Sequence, residues 1–322
     1  MILSMSICRI ATIYSRKKNK KSIVRINGGL GNQLFQICFG LSLSYEQNNE
    51  VVLDLIEYRY HKGRNSRKFH KITIPTLRTI HSSNVLAVYL PKRLSNILGR
   101  IERKSVRNKV KYGLRVQRES PIIFDKKIEK TSKSYFVGNF VSHKYWEGDP
   151  RTYIELMAQS LKLETLYASP RDKKSIGMHV RRGDYVSDKK TREFHGFCTD
   201  EYFLTGITLI LNNDPSIKTV VIATDSYELV TNLVGRISKL GLNPILLQKQ
   251  NELETLAALS SAEYFIGSNS TFSWWAAAFS KAKCIYFPHQ WFASDYAGFD
   301  SADYFPFRIN CLDIPLATTW NS

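Results

Sequence analysis

The stretch SIGMHVRRGDY, residues 175–185, decides the fold of the second half of the chain. Ser175–Val180 reads as a buried strand, and Arg181 and Arg182 stand at its carboxyl end. Two adjacent arginines are costly in that position unless an anion or a carboxylate meets them. Working outward, residues 200–211 have helical apolar spacing, 219–223 read as a strand, 227–240 as a helix, 243–247 as a short strand and 252–260 as a helix. The series continues through strand 264–266, helix 272–279 and strand 284–287. Strands alternating with helices of this length build a parallel sheet covered on both faces. In open α/β sheets ligands lie beyond the carboxyl ends of the strands, so the residues that carry chemistry are sought there.

The first half begins in the same manner. Residues 22–26 read as a strand, NGGLGNQ (27–33) as a glycine-rich turn, LFQICFGLSLSY (34–45) as a helix and VVLDL (51–55) as the next strand. Helices and basic loops are expected over 60–133, and YFVGNFV (135–141) reads as a further strand. A length of 322 residues suits about two ordinary domains, and 17 Tyr, 17 Phe and 5 Trp argue against disorder.

The formal net charge of +18 is unevenly placed. Residues 1–173 hold 33 Lys+Arg against 13 Asp+Glu, whereas 174–322 hold 13 against 15. The excess peaks over 91–133, with 14 basic and 4 acidic residues. Such a patch is either a solvated basic face or a surface for an anionic partner. A nucleic-acid role is disfavoured, because the basic stretch contains only two aromatics, Tyr112 and Phe124, and no reader motif. Peripheral contact with an anionic membrane is compatible with it. Cys8, Cys38, Cys198, Cys284 and Cys311 are odd in number and widely spaced, which fits free thiols in a reducing compartment better than a disulfide framework or a zinc site. No apolar run reaches the roughly 18–20 residues of a spanning helix. In residues 1–21 the basic cluster follows the apolar part, the wrong order for a secretory signal. A cytoplasmic protein with a basic N-terminal tail is expected.

Four segments can carry chemistry. GGLGNQLFQ (28–36) places glycines before a helix N-terminus, where an anion is favoured, but it matches neither a Walker A loop nor the dinucleotide fingerprint. HVRRGDY (179–185) offers guanidinium groups able to grip a diphosphate bidentately, or else a structural Arg–Asp pair in which Asp184 satisfies Arg182. In VVIATDS (220–226), Asp225 either bonds a ligand or caps the helix that follows. IGSNSTFSWWAAAF (266–279) sets small polar residues before an alanine-rich helix, a loop suited to a phosphate. Trp274 and Trp275 cannot both face the core from one side of that helix, so one is expected to border the cleft. No two aspartates stand in D-x-D spacing, a pattern on which many nucleotide-sugar enzymes hold a divalent metal.

Together, and in this order, GGLGNQLFQ, HVRRGDY, ATDS and SNSTFSWWAA resemble glycosyltransferase family eleven, in particular the bacterial α-1,2-fucosyltransferases, over residues 22–292. The resemblance implies an α/β, GT-B-like architecture, two Rossmann-like domains with parallel sheets facing across a cleft. It divides the chain into a tail (1–21), an acceptor-side domain (22–170) and a donor domain (171–322). It implies GDP-β-L-fucose as donor, a galactose-terminated glycan as acceptor, inversion at the anomeric carbon and no essential metal or other cofactor. It makes Arg181 the residue that stabilises charge on the departing GDP, with Asp184 and Arg182 supporting it. His179, Asn32, Gln33, Asp225, Ser268, Asn269, Ser270, Thr271 and Phe272 are then expected to line the donor or acceptor site. Asp184, Glu193 and His195 remain alternatives for a general base. Two positions depart from the family pattern. Thr255, beside Glu254, stands where an acidic residue is common, and PHQWF (288–292) carries His289 or Gln290 in place of a lysine.

Overall fold

A computed structural model describes residues 21–47, 50–55, 58, 77–80, 110–111, 114–120, 124–166, 174–293 and 301–320. The chain forms two compact units, Met1–Asp149 and Pro150–Ser322.

The first unit is built on β1 (Lys21–Arg25), α1 (Leu30–Gln47), β2 (Glu50–Asp54), β3 (Leu77–Ile80), β4 (Val110–Lys111), β5 (Leu114–Arg118) and β6 (Ser134–Val137). Its strands lie in the order β3-β2-β1-β6-β5-β4, every pairing parallel except β4 with β5. The helix starts at Leu30, inside the glycine-rich segment and four residues earlier than the apolar spacing predicts. Leu34, Phe35, Ile37, Cys38 and Phe39 are all fully buried along it. A helix so apolar around its circumference belongs inside a fold. Phe39 stacks on Phe140 at 3.9 Å and meets Phe136 and Tyr145 edge-on. Most of the stretch 60–133, where helices and basic loops are expected, and most of the basic peak at 91–133 lie outside the described residues.

The second unit opens with α2 (Pro150–Ser160) and α3 (Leu163–Leu166). There follow β7 (Ser175–Val180), α4 (Gly183–Ser187), α5 (Lys189–His195), α6 (Asp200–Asn213), β8 (Thr219–Thr224), α7 (Thr231–Lys239), β9 (Asn243–Leu246), α8 (Glu252–Ser260), β10 (Tyr264–Gly267), α9 (Thr271–Ala278), β11 (Cys284–Pro288) and β12 (Asn310–Leu312). The sheet runs β12-β11-β10-β7-β8-β9, all parallel, with β7 buried along its whole length between β10 and β8. On α6, Tyr202, Phe203, Gly206, Ile207 and Ile210 are buried at helical spacing, and all but Gly206 join Ile176, Met178, Val220 and Ile222 of the sheet in one core.

Two sequence expectations are corrected. The units divide at Asp149/Pro150 rather than at 170/171, because α3 buries Leu163 and packs on α8 of the second unit. Trp274 and Trp275 are both fully buried. They meet edge-on at 4.8 Å, and the Trp274 indole N–H donates to the Tyr304 carbonyl at 2.7 Å, so neither ring borders a cleft. Among the described residues Cys38, Cys198, Cys284 and Cys311 are free thiols, and no helix is long and apolar enough to cross a membrane.

Candidate active site

In the second sheet the chain order reverses between β7 and β10, and such a switch point is where open α/β sheets hold ligands. The segments after these two strands are the HVRR and GSNST stretches. They are tied to each other at once: the Ser268 hydroxyl donates to the His179 carbonyl at 2.6 Å and accepts the Arg181 amide at 3.0 Å. The Ser273 hydroxyl accepts the Ser268 amide at 3.1 Å and bonds His179 Nδ1 at 2.6 Å. Burial, reinforced by the Arg181 charge and opposed by Asp225, lowers His179 to about 4, so its ring is neutral near pH 7.

The two arginines part company at this edge. Arg182 is fully buried. Its guanidinium bonds Asp200 Oδ1 at 2.8 Å and the Cys198 carbonyl, and lies 5.2 Å from the ring centres of Phe197 and Trp320. Arg181 keeps a quarter of its side chain exposed and is gripped on two sides, by Asp225 Oδ2 at 2.7 Å and Asp184 Oδ1 at 2.6 Å. Burial pulls its pKa down, but the two carboxylates outweigh it and leave the group more basic than usual. Its guanidinium carbon also sits 5.2 Å from the centre of the Tyr185 ring.

Asp225 is the organiser. Besides Arg181 it accepts the amides of Arg182 at 2.8 Å and Gly183 at 3.1 Å, the start of α4. Gly183 is required for this approach, since a Cβ there would stand 2.2 Å from Asp225 Oδ2. Tyr185 lies flat against His195, with ring centres 4.7 Å apart and planes at 11°, and Phe194 and Phe292 complete an aromatic wall. Burial lowers His195 to about 4.

Several expected ligand residues are spent on the protein itself. Arg182 and Ser268 are buried in the bonds above, and Asp184 pairs with Arg181 instead of with Arg182, the pairing of the structural alternative. Asn269 is buried, its amide donating to the carbonyls of His195 at 2.9 Å and Trp291 at 3.1 Å. Ser270 caps α9 by accepting the Phe272 amide at 3.3 Å. Thr271 and Phe272 are half-buried at the start of α9, the Phe272 ring 5.0 Å from that of His179. Glu193 is exposed on α5 beside Lys189. Asn32 and Gln33 belong to the first unit, where Gln33 is buried with its amide on the Gly28 carbonyl, whereas Asn32 is only half-buried. Sequence reasoning missed Asp200 and the aromatic wall of Tyr185, Phe194 and Phe292; no spacing rule joins Asp200 to Arg182 or Phe292 to Phe194 and His195. Among the described residues no group of three or more His, Cys, Asp or Glu is placed to hold a metal ion.

The sequence profile of glycosyl transferase family 11 matches residues 132–306, more than half of the chain. The chain belongs to glycosyl transferase family 11. An Escherichia coli alpha-1,2-colitosyltransferase is 25% identical over 260 residues, 79% of this chain and 86% of the relative. The Escherichia coli O-antigen biosynthesis glycosyltransferase WbnK is 25% identical over 127 residues, 38% of this chain and 40% of the relative. Among solved structures, POFUT1 in complex with GDP superposes with a TM-score of 0.51 at 13% identity, covering 85% of this chain and 99% of POFUT1. That likeness concerns the fold, and with the two parallel-sheet units it makes this family 11 glycosyltransferase α/β and GT-B-like.

Proposed function

We propose that this glycosyltransferase moves L-fucose from GDP-β-L-fucose to the 2-hydroxyl of a terminal galactose, with inversion and without a metal ion. The family membership and the α-1,2 linkage in the name of the colitosyltransferase relative support this reading. The observation that carries it is Arg181, a half-buried guanidinium fixed at the β7/β10 switch point by two carboxylates. With Asp184 and Asp225 both on it the cluster is net negative, so a diphosphate must displace one of them. Asp184 is the one to leave, being 41% exposed, whereas Asp225 is anchored by two backbone amides. Arg181 then turns its fork to the β-phosphate, where negative charge grows as the C1–O bond to GDP breaks. Once turned, with Asp225 still holding it, a donor aimed at this charge is worth ~3–4 kcal/mol in the transition state. Burial lowers His179 and His195 to about 4, so both are neutral near pH 7 and no more basic than an ordinary carboxylate.

The test is GDP release from GDP-fucose with and without a β-galactoside, with linkage analysis of the product. Acceptor-dependent release and an α-1,2 product, both undiminished by excess EDTA, are expected. A strict need for added Mg²⁺ or Mn²⁺ would remove the metal-free part, and an α-1,3 product the linkage. A second reading, transfer of colitose, is favoured by the relative of that name, and the same assay with a nucleotide-activated colitose decides between the two donors.

A further inference from the structure

Three side chains near Arg181 are candidates to take the proton of the acceptor hydroxyl, and the structure separates them. Asp184 is bonded to Arg181 itself, on the side where the diphosphate leaves. Glu193 is exposed beside Lys189. His195 remains, and it is the best held of the three. Its ring lies flat on that of Tyr185 with centres 4.7 Å apart, and the Arg181 guanidinium carbon is 5.2 Å from the centre of the same Tyr185 ring. Phe194 meets the imidazole edge-on at 4.7 Å, and Phe292 lies against it at 5.6 Å. The backbone beneath is fixed as well, because the Asn269 amide donates to the His195 carbonyl at 2.9 Å. Among the described residues no group bonds His195 Nδ1, although that nitrogen is buried. Buried polar atoms are nearly always paired, so an exception calls for an explanation, and a catalytic role is one. With Nδ1 turned inward, Nε2 is the nitrogen left to meet a substrate.

We infer that His195 is the catalytic base of the transfer, its Nε2 taking the proton of the attacking acceptor hydroxyl. The assignment deepens the fucosyl-transfer reading and rests on it. Inversion brings the acceptor oxygen to the face of C1 opposite the departing phosphate, so a base has to stand off from Arg181 by about the thickness of a sugar. One aromatic ring, that of Tyr185, provides the spacing. As the bond from C1 to the GDP oxygen breaks, its electron pair leaves with GDP. As the acceptor oxygen bonds to C1, its proton passes to Nε2, and the imidazolium later gives that proton to water. Only the neutral ring can accept. Burial, opposed by Asp184 and reinforced by the Arg181 charge, lowers His195 to about 4, so the free enzyme holds it neutral but weakly basic. The donor changes this balance. Its diphosphate offsets the Arg181 charge, while Asp184 stays at the start of α4 and continues to favour the imidazolium. His195 therefore moves back towards its ordinary value of 6.5 in the donor complex, nearer the operating pH that suits a base. The groups that bear on its charge are Arg181 from the end of β7 and Asp184 and Tyr185 from α4; Phe194 and Phe292 bring none.

Two measurements test it. In steady-state kinetics at saturating GDP-fucose, His195→Gln should lower kcat by ~10²-fold or more while the affinity for GDP-fucose stays within about 3-fold of native. Native kcat/KM for the acceptor should fall as pH drops from about 6.5 towards 5, and His195→Gln should lose this acid limb. A folded His195→Gln enzyme with near-normal kcat, or one that keeps the acid limb, overturns the inference. The second measurement needs no variant and decides the matter if His195→Gln does not fold. Calorimetry of GDP-fucose binding to the native protein at about pH 5.5, in buffers of different ionisation enthalpy, counts the protons exchanged. The sugar ester leaves the diphosphate no group that titrates near this pH, so uptake of roughly one proton per site reports the rise in His195. Binding without proton uptake overturns the inference and leaves the proposed function standing. If GDP-fucose does not bind at all, the proposed function itself fails, and the assignment of His195 falls with it.

Discussion

The β7/β10 crevice of the second unit and the β1/β6 crevice of the first hold the same topological position and are furnished in opposite ways. At β7/β10 a guanidinium is clamped between Asp184 and Asp225 by bonds of 2.6 and 2.7 Å, and the surrounding hydroxyls and amides are already paired. At β1/β6, where the strand order of the first sheet reverses, the Asn32 and Asn139 amides approach at 3.5 Å over a tightly bonded floor. A site that stabilises developing charge gains from dipoles and charges that need not reorganise during the reaction. The two sheets share a switch point but not every pairing, since β4 lies antiparallel to β5 while the second sheet is parallel throughout.

The largest effects should come from separating the two adjacent arginines, which the comparison treats as opposites. Arg182→Met removes a buried charge from Asp200 and from the Phe197–Trp320 cage. Breaking a buried pair in this way costs about 3–5 kcal/mol. Thermal unfolding should show a clear loss in Tm, together with loss of activity through instability; a native-like Tm would break the structural assignment. Arg181→Ala should instead leave the Tm close to native, because its partners Asp184 and Asp225 are 41% and 26% exposed and can be solvated. Its kcat and kcat/KM should fall together by at least ~10²-fold, and Arg181→Lys should recover little, since it restores charge without the planar fork. A folded Arg181→Ala enzyme with near-normal kcat would return attention to the rest of the crevice.

Much of this was legible in the sequence, and unevenly so. The alternation after Pro170 located β7 to β11 nearly to the residue and α6 to α9 to within about four residues, while the short α4 and α5 were not read, because buried parallel strands are short continuous apolar runs and the longer helices are periodic. The strands β3, β4, β5 and β12 escaped notice. LRVQR (114–118), for example, packs Leu114 and Val116 against the core in strand alternation, but two apolar positions among basic residues are a short signal, and its one buried residue is the polar Gln117, whose amide is bonded to Glu129, Thr131 and Ser134. The motif HVRR located the site but did not tell which arginine faces outward. That depends on Asp200, eighteen residues from Arg182 in the chain, and on a Trp320 ring near the C-terminus. Ser268 and Asn269 looked like ligand donors because short polar residues at a strand end are ambiguous. The structure uses their side chains to join strand ends.

Ser268 offers a smaller but sharper test of the dense pairing at β7/β10. If its hydroxyl only joins β7 to β10, Ser268→Ala leaves a backbone amide and a carbonyl without their partner and should cost about 1–2 kcal/mol in thermal or urea unfolding. Donor KM should then stay within about 3-fold of native. A rise of tenfold or more with an unchanged Tm would mean that the hydroxyl serves the diphosphate, and that the crevice rearranges on binding more than its dense pairing suggests.

The smallest expected effect is a pH dependence of opposite sign in the two units. Burial raises Glu119, just past β5, from 4.5 to about 7, so between those values the folded first unit binds more protons than the unfolded chain. Its stability therefore falls as pH rises through that window. His179 and His195 are lowered from 6.5 to about 4, so there the unfolded chain binds more protons, and stability of the second unit falls as pH drops from 6.5 towards 4. For any one group the slope cannot exceed about 1.4 kcal/mol per pH unit. Hydrogen exchange followed by mass spectrometry, corrected for intrinsic rates, separates the units by peptide. Between pH 7 and 5.5, protection should increase in peptides covering β5 and β6 and decrease in those covering β7 and β10. Glu119→Gln should flatten the first trend and leave the second. If both units move in the same direction, burial is not what separates the titrating groups of the two crevices. The contrast would then rest on their hydrogen bonds alone.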